Sequence, residues 1–593
     1  MDFNLPQDPC PEKCYNRSVR RNFRDETASA QRLHFLASGV ILIFLIIVGR
    51  LFQLQILGHE TYRALAASEH EVVKNLPPER GEIYLKDRVS GKLFPVATNR
   101  DTYTVFIDAT KIQEADKLSQ ELAQILNIKK EEILNKIKPN DPYEPIVRGV
   151  SEAQAEKILQ KKFVGIGFER EPRRFYPEGA ALSQITGFLG DDERGRTGKY
   201  GLEGYFEKEL RGRGGYLYGE KDALGRLISA QRVRTELPED GATILLTIDR
   251  TIQFFVCEKL KEYVKKFDAQ GGVVVISNPE SGAILAMCSV PNFDANDYNK
   301  VKDFSVFNNQ AIFESYEPGS IFKPFTMAAG LDSGAVEPAT TYEDKGVVKI
   351  GAHEITNSDL KTHGTQTMTQ VLEKSLNTGV VFVVRKVGRE IFKRYVDNFG
   401  FGEPTGIELT SESSGDTSNL GRRGEIYSVT ASFGQGISVT PIQLVSAFGA
   451  IANGGKLMKP YIIEEIRSAS GLEARIEPKL TRQVISPHAA NVLASMLTAV
   501  VENGHGKRAG VPGYFVAGKT GTAQIPHPSG GYYKDETIGS FVGFAPTTNP
   551  RFVMMAKLTR PQGVKWAEST AAPLFGEIAK FLLNYLEVPP ERK

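Results

Sequence analysis

The sequence lacks a strong excess of charge of either sign. Over 593 residues, 73 lysines and arginines stand against 71 aspartates and glutamates, which leaves a formal net charge of +2. A protein that attracts nucleic acid through its overall field needs a larger positive excess. Internal repeats and low-complexity blocks are also missing. The length therefore predicts two to four globular domains of roughly 100–200 residues each.

Cysteine is scarce, with four residues in the whole chain. So few cysteines exclude a disulfide-rich scaffold. Cys10 and Cys14 have no second ligand pair at the spacing of a zinc site. Cys257 and Cys288 lie much further along the chain. We interpret all four as unpaired thiols, with a Cys257–Cys288 bridge as the alternative.

Signatures of metal and nucleotide enzymes are missing as well. The eight histidines are scattered, and they form no H-E-x-x-H or paired ligand spacing, which argues against a zinc peptidase. The sequence contains no P-loop and no G-x-G-x-x-G after a predicted strand. Neither a metal nor a cofactor is predicted.

One segment is long and apolar enough to cross a membrane. Residues 33–49 carry no formal charge, and Arg50 interrupts an apolar stretch that continues to residue 57. An arginine near the end of a span can extend its charge to the interface, so residues 33–57 predict one transmembrane anchor. No second run of this length follows, which predicts a single-pass protein.

Basic residues are distributed unequally about this anchor. They cluster in the tail, residues 1–32, whereas the roughly twenty residues after the anchor contain Arg63 and Lys74. The positive-inside rule predicts a cytoplasmic tail and a catalytic domain outside the cytoplasmic (inner) membrane. A cleaved signal peptide is the alternative, because residues 64–66 (Ala-Leu-Ala) resemble a cleavage triplet. The apolar run exceeds an ordinary signal peptide, which favours an uncleaved anchor.

The stretch 58–238 alternates between two patterns. Short β-like runs such as 102–107 are followed by charged helical patches such as 117–137. Stretches rich in glycine and arginine at 191–201 and 211–215 are expected to be loops. These features predict a mixed α/β domain.

From residue 239 the pattern becomes more regular. A strand, an amphipathic helix, a hairpin, a late strand and a closing helix are predicted at 242–248, 253–267, 272–287, 551–558 and 572–586. A helical middle between strands from both ends predicts an α+β domain of roughly 350 residues. Its antiparallel sheet should be covered by helices.

A candidate nucleophile follows a Pro-Gly break in the sequence Gly319-Ser320-Ile-Phe-Lys323. The break and the apolar run after it place Ser320 at the first turn of a helix, on one face with Lys323. A serine hydroxyl needs an adjacent base, and lysine can be that base if desolvation lowers its pKa. The spacing alone carries little weight, because it occurs by chance in a chain of this length.

Two further motifs carry side chains suited to the same chemistry. Ser375-Leu-Asn377 offers a hydroxyl for proton relay and an amide for substrate, although such a turn is usually a capping motif. Lys519-Thr520-Gly521-Thr522 offers a cation and two hydroxyls for a carboxylate. Glycines in a strand mark close approach of another backbone, so a peptide could lie along this edge; a packing glycine is the alternative.

In this order and spacing, the three motifs resemble the penicillin-recognising serine acyltransferases. The sequences around them are similar to class B penicillin-binding proteins, at 316–324, 432–441, 518–524, 541–546 and 573–575. Upstream, segments 80–83, 174–177 and 201–203 resemble the N-terminal pedestal of that class. The resemblance covers residues 33–587. Two departures are Leu376 inside S-x-N, whose side chain we expect to point away, and Gln184 where many relatives have histidine.

The resemblance implies a domain order and a fold. The cytoplasmic tail (1–32) and the transmembrane anchor (33–57) precede a pedestal or dimerisation domain at 58–238. A penicillin-binding transpeptidase domain follows at 239–587, with a short tail at 588–593. The implied activity is peptidoglycan D,D-transpeptidation through a serine acyl-enzyme, and β-lactams would acylate the same serine.

The resemblance also implies residue roles. Ser320 attacks the penultimate D-Ala carbonyl, and Lys323 takes its proton. Ser375 passes a proton to the leaving D-Ala, and Asn377 orients the substrate. The substrate carboxylate would be bound by Lys519, Thr520, Gly521 and Thr522. Backbone N–H groups of Ser320 and Thr522 would form the oxyanion hole.

Partners and alternatives also follow from the resemblance. The division-associated (septal), FtsI-like type fits better than the elongation type. The implied partners are a polytopic glycan polymerase of the FtsW/RodA type and divisome proteins. A β-lactamase or carboxypeptidase would use the same acylation but admit water. A β-lactam-sensing receptor would acylate without turnover.

Overall fold

The computed structural model describes residues 24–57, 71–138, 141–193, 195–220, 234–468, 471 and 473–592. Cys10, Cys14, most of the predicted cytoplasmic tail and the triplet at 64–66 lie outside these residues. Strands are numbered β1–β23 and α-helices α1–α17 in chain order. The chain divides into two units, Met1–Leu76 with Gly215–Leu237, and Pro77–Gly214 with Pro238–Lys593.

The first unit contains the predicted anchor. Helix α1 (Arg24–Phe52) continues through a π-helical turn at Gln53–Leu57. Its apolar part, His34–Leu57, has 24 residues, and an 18-residue window within it has a mean hydropathy of 2.5. In the described chain it is the one helix that is long and apolar enough to cross a membrane. The same unit holds an antiparallel sheet in the order β1-β8-β9, with strands Glu71–Leu76, Gly215–Glu220 and Arg234–Glu236.

The second unit begins with the mixed α/β region expected from the sequence. The long strand β3 pairs antiparallel with β2 through its first half and with β4 and β5 through its second half. The strands β2–β7 are Ile83–Lys86, Leu93–Ile107, Glu144–Ser151, Ile166–Phe175, Phe188–Asp192 and Gly195–Lys199. The helices α2–α7 are Ala115–Leu126, Lys130–Leu134, Glu152–Gln160, Ser183–Thr186, Gly201–Tyr205 and Glu207–Arg211.

The remainder of this unit is α+β, as predicted. Strands β10–β16 are Thr243–Asp249, Gly271–Ser277, Ile284–Val290, Thr341–Asp344, Val347–Ile350, His353–Thr356 and Gly364–Thr367. Strands β17–β23 are Lys456–Met458, Ile463–Arg467, Glu473–Arg475, Leu480–Gln483, Ala517–Pro526, Tyr532–Ala545 and Phe552–Thr559. Helices α8–α12 are Arg250–Lys266, Gln310–Phe313, Lys323–Asp332, Met368–Glu373 and Asn377–Val387. Helices α13–α17 are Arg389–Asn398, Glu425–Ser432, Pro441–Ala452, Pro487–Glu502 and Ala571–Tyr585.

A five-stranded antiparallel sheet in the order β12-β11-β23-β22-β21 organises this region. Every residue of β11 is buried, because helices cover both faces. Val273 and Val275 pack in the cluster that contains α15, whereas Val274 and Ile276 pack in the cluster that contains α8 and α17. Because side chains alternate along a strand, β11 contributes to two hydrophobic cores. Strand β21 is left at the edge.

Two expectations from the sequence are wrong. The stretch 191–201 is not a loop but contains most of the β6–β7 hairpin and the start of α6. Arg196 in this stretch pairs with Glu171 and with Asp191, each at 3.5 Å, which composition does not reveal. Cys257 and Cys288 are not free thiols but form a disulfide with Cα atoms 5.5 Å apart. Helix α8 packs on β12 and brings the two together across 31 residues of sequence.

Within the second unit, residues from both sides of the predicted division at residue 238/239 pack together. Strand β10, after the predicted boundary, pairs in parallel with β2 before it. Ile83 and Leu85 share one hydrophobic cluster with Ile244 and Val273. The domain boundaries at 58–238 and 239–587 remain predictions.

A buried ion-pair network lies beneath these strands. The Glu203 carboxylate is fully buried and accepts from Arg174 at 2.7 Å and from Arg80 at 2.6 Å. Arg80 also pairs with Glu207 at 2.7 Å. A buried carboxylate of this kind is stable only while both guanidinium groups neutralise it.

We expect Glu203→Gln to destabilise the folded protein by about 3 kcal/mol, because it leaves two guanidinium groups short of a counter-charge. The midpoint of urea unfolding measures the change. Glu209→Gln, at an exposed glutamate on the neighbouring helix α7, is the matched control and should stay within about 0.5 kcal/mol of wild type. Equal midpoints for the two variants would contradict the assigned role of the pair.

Candidate active site

Ser320 lies in a 3-10 turn, Gly319–Phe322, that runs directly into the buried helix α10. The turn is fixed from behind, because the Gly319 N–H donates to the Gly434 carbonyl at 3.0 Å. A Cβ on Gly434 would come within 2.2 Å of the Gly319 oxygen. This close approach accounts for glycine at position 434.

The S-x-N motif forms a tight turn between α11 and α12. Helix α11 is capped by Thr367 and Gln370, and Ser375 then takes a positive φ of 56°. Leu376 is buried, so its side chain points into the protein interior and away from the candidate active site, as predicted. The Asn377 amide donates to the Thr356 carbonyl at 2.8 Å, which ties this turn to β15.

The K-T-G motif occupies the edge strand β21. A Cβ on Gly521 would lie 2.7 Å from the Ile321 side chain and 3.1 Å from the Pro318 carbonyl. Glycine therefore lets the strand pack against the turn that carries Ser320. The Thr522 hydroxyl accepts from the Ala567 N–H at 3.0 Å.

The three motifs meet at one hydroxyl group. Ser375 Oγ lies 3.2 Å from Lys323 Nζ and 3.0 Å from Lys519 Nζ, and both ammonium groups donate to it. Lys323 also donates to the Ser375 carbonyl, and Lys519 to the Thr520 carbonyl at 3.2 Å. The sequence spacing suggested a direct contact between Ser320 and Lys323. In the described chain, Lys323 instead makes its side-chain hydrogen bonds to Ser375.

Burial sets the charge state of the two lysines. Both side chains are 0% exposed. Burial lowers the pKa of Lys519 to about 7. Burial, together with the nearby Lys519 charge, lowers the pKa of Lys323 well below its usual 10.5. Among the described residues neither is paired with a carboxylate, unlike the buried Lys557, which binds Glu314 at 2.9 Å. A neutral lysine that can accept a proton is therefore available near neutral pH.

Two cavities open on Ser320. The Asn377 cavity, about 360 Å³, is lined by Asn377, Gly434 and Gln524 among others. The Ser375 cavity, about 250 Å³, is lined instead by Ser375 and Thr520. Both share Ser320, Ser358, Thr522 and Trp566. Lys323, Lys519 and Gly521 line neither cavity, so the lysines act from behind the surface.

Several side chains at the cleft carried no role in the sequence analysis. Glu317 accepts from Tyr532 and from the Gly436 N–H, each at 2.9 Å, and burial raises its pKa. Gln435 donates to Gln524 at 3.3 Å across the cleft. Glu317 and Gln435 lie inside motifs that were recognised. Three further residues at the cleft, Trp566, His505 and Glu568, lie in segments where the sequence shows no recognisable motif.

Family comparison agrees with this geometry. Residues 272–580 match the penicillin binding protein transpeptidase domain, and residues 75–246 match the penicillin-binding protein dimerisation domain. Stage V sporulation protein D of Bacillus subtilis is 36% identical over 572 residues, which cover 95% of this chain and 87% of that protein. The chain belongs to the class B penicillin-binding proteins.

Other relatives of this class B protein span nearly its full length. Peptidoglycan D,D-transpeptidase FtsI of Escherichia coli is 27% identical, and the alignment covers 94% of this chain and 92% of that protein. Penicillin binding protein 3 of Mycobacterium tuberculosis, solved with aztreonam, has a TM-score of 0.67 and 26% identity over 87% of this chain and 98% of its own. Penicillin binding protein 2X of Streptococcus thermophilus, at 23% identity and a TM-score of 0.75, covers 87% of this chain and 81% of its own. That last likeness concerns the fold alone.

The lysine pair predicts a specific pH dependence. Acylation by a fluorescent penicillin should rise with pH and level off well below pH 10.5, because burial and the neighbouring Lys519 charge lower the pKa of Lys323, the proposed base. In Lys519→Gln the repulsion on Lys323 is gone, so its pKa rises and the midpoint moves to higher pH. Acylation at pH 7 should fall about tenfold or more.

Second-order acylation rates across the neutral range test this dependence. Lys386→Gln, at an exposed lysine on α12, is the control and should keep the wild-type profile. An unshifted midpoint in Lys519→Gln would rule out electrostatic coupling between the two lysines.

Proposed function

We propose that this class B penicillin-binding protein cross-links peptidoglycan stem peptides by D,D-transpeptidation, through an acyl-enzyme on Ser320. The observation that carries the proposal is the Ser375 hydroxyl, held by two buried lysines beside a serine that opens on two cavities. A transpeptidase must move a proton between nucleophile and leaving group, and it must hold two peptides. The hydrogen bonds to Ser375 and the two cavities at Ser320 support both requirements.

In the acylation step, Ser320 Oγ attacks the carbonyl carbon of the penultimate D-Ala of a donor stem. Neutral Lys323 accepts the hydroxyl proton, which a lysine can do because burial has lowered its pKa. The C–N bond to the terminal D-Ala then breaks. Ser375 Oγ, which is hydrogen-bonded to Lys323 Nζ, passes the proton to the leaving nitrogen.

Substrate positioning falls to groups on the cavity walls. Thr520 and Thr522 present hydroxyls to the terminal carboxylate, and Asn377 presents its amide to the acyl portion. Lys519, behind the wall, holds Ser375 and adds positive potential to the carboxylate site. The backbone N–H groups of Ser320 and Thr522 stabilise the oxyanion, an effect worth roughly 10²–10³-fold in rate.

Two independent features support a location of the catalytic domain outside the cytoplasm. The apolar helix His34–Leu57 is preceded by basic residues, which favours a cytoplasmic N-terminus. The Cys257–Cys288 disulfide suits an oxidising compartment. We therefore infer a single-pass protein of the cytoplasmic membrane with its catalytic domain outside.

The biological setting is proposed from relatives. Several full-length relatives are named FtsI or PbpB, which favours septal wall synthesis with a polytopic FtsW/RodA-type glycan polymerase and divisome proteins as partners. The relative at 36% identity is named for a stage of sporulation, so wall synthesis in the spore is a second setting. Wall synthesis during cell elongation is a third setting.

Labelling with fluorescent penicillin separates the enzymatic alternatives. Wild type should form a stable adduct, and Ser320→Ala should form none, because the attacking oxygen is gone. Ser315→Ala, a nearby exposed serine, is the matched control and should label normally. Adduct in Ser320→Ala would contradict the site, rapid release of label would indicate a β-lactamase, and a stable adduct without cross-linking in a lipid-linked substrate assay would indicate a receptor.

Depletion in the native host tests the setting. A septal role predicts long cells that fail to divide, because lateral wall synthesis continues without a septum. The measurement is cell length and mid-cell position of a fluorescent fusion, with the Ser320→Ala fusion as the inactive control. Rounded cells would point to elongation, and a defect confined to spores would point to sporulation.

A further inference from the structure

Asp344, at the end of strand β13, is a fully buried carboxylate that the proposed mechanism does not use. Its Oδ1 accepts from the Gly346 N–H at 2.9 Å and from the Thr378 hydroxyl at 2.8 Å. Its Oδ2 accepts from the Asn357 amide at 2.9 Å and from the His363 N–H at 3.0 Å. An ionised carboxylate has about four acceptor positions, and all of them are occupied here.

No lysine or arginine of the described chain neutralises this carboxylate. Glu203 is bound by two guanidinium groups, whereas the donors to Asp344 are two backbone N–H groups, one amide and one hydroxyl. Burying an anion without a counter-charge is costly, and the four hydrogen bonds are the interactions that offset this cost. The carboxylate therefore requires its donors in fixed positions, which also fixes the segments that carry them.

Two of the donors belong to segments that meet at the S-x-N turn. Thr378 directly follows Asn377 at the start of helix α12. Asn357 begins the loop between β15 and β16, and its Oδ1 accepts from the Thr378 N–H at 3.3 Å. Thr356, just before this loop, accepts from the Asn377 amide at 2.8 Å. Two consecutive residues of the loop segment therefore bind two consecutive residues of the turn, and Asp344 binds the second pair.

The loop between β15 and β16 contributes to the walls of both cavities at the nucleophile. Asn357 and Leu360 line the Asn377 cavity. Asp359 lines the Ser375 cavity. A shift of this loop would therefore change the walls of both cavities, together with the hydrogen bond that orients the Asn377 amide.

We propose that Asp344 is a positioning residue for acylation, which holds Asn377 in the orientation that receives the acyl portion of the substrate. This inference rests on the proposed function and adds to it a residue that does not touch the substrate. The effect of Asp344 reaches Asn377 through Thr378 and Asn357. A displacement of about 1 Å in a substrate-positioning group can cost about 100-fold in rate, so a fixed turn matters for catalysis.

Asp344→Asn tests this role directly. The substitution replaces one acceptor oxygen by an NH2 group that faces N–H or O–H donors, so the loop and the start of α12 must separate. The second-order rate constant for acylation by penicillin should fall about tenfold or more. Glu343→Gln, at the exposed neighbour on strand β13, is the matched control and should stay within about twofold of wild type. A wild-type rate in Asp344→Asn would overturn the proposal.

A double-mutant cycle with Asn377→Ala separates positioning from a general loss of stability. If Asp344 acts through Asn377, adding Asp344→Asn to the alanine variant should lower the acylation rate by less than about twofold. The midpoint of urea unfolding should instead fall by the same amount in both backgrounds, because the buried hydrogen bonds are lost in each. An equal loss of acylation rate in both backgrounds would show a merely structural role and overturn the proposal.

A milder pair of variants decides the matter if Asp344→Asn does not fold. Thr378→Val keeps the shape of the side chain but removes its donor to Asp344, so the acylation rate should fall about threefold or more. Thr378→Ser keeps the hydroxyl and should restore most of that rate. Equal rates in the valine and serine variants would contradict the positioning role. A wild-type enzyme that acylates but transfers to no amine would overturn the transpeptidase proposal and leave the role of Asp344 in acylation standing.

Discussion

The hydroxyl of Ser375, shared by two buried lysine side chains, is the interaction on which the rest of the site depends. Two ammonium groups cannot both remain charged without water or a counter-ion, and the pKa of each is lowered accordingly. Burial lowers the pKa of Lys323 well below its usual 10.5, and in the proposed mechanism this lets the side chain act as a base. The hydroxyl between the two lysines connects the S-x-x-K, S-x-N and K-T-G motifs through Lys323, Ser375 and Lys519.

The fold provides this arrangement by close backbone approach. Gly434 and Gly521 each leave room for the turn that carries Ser320, and a Cβ at either position would lie within 3.0 Å of it. The strand that contains Gly521 is an edge strand whose partner β22 lies on the inner side. Its free edge faces the cleft, where an extended peptide can be recognised through backbone groups. In the proposed mechanism, the K-T-G side chains and the edge that would bind the peptide therefore belong to one strand.

Within the second unit, residues 77–214 share a continuous core with the residues that follow 238. Strands from both regions pair, and one hydrophobic cluster extends across the predicted boundary. Within that core, Glu203 is neutralised by Arg80 and Arg174. Such a network contributes little net stability against apolar replacements, but breaking one half is costly.

The sequence by itself determined the long apolar helix, the α+β class and the order of the three motifs, because these depend on local patterns of hydrophobicity, turn residues and spacing. It could not reveal that Lys323 binds Ser375 rather than Ser320, that the lysines lie behind the cavity walls, or that Cys257 meets Cys288. Nor did any pattern mark Glu568, His505 or Asp359. Each of these facts depends on contacts between residues far apart in the chain. Only the tertiary structure decided them, since burial and proximity, which set pKa and reactivity, arise when distant elements pack together.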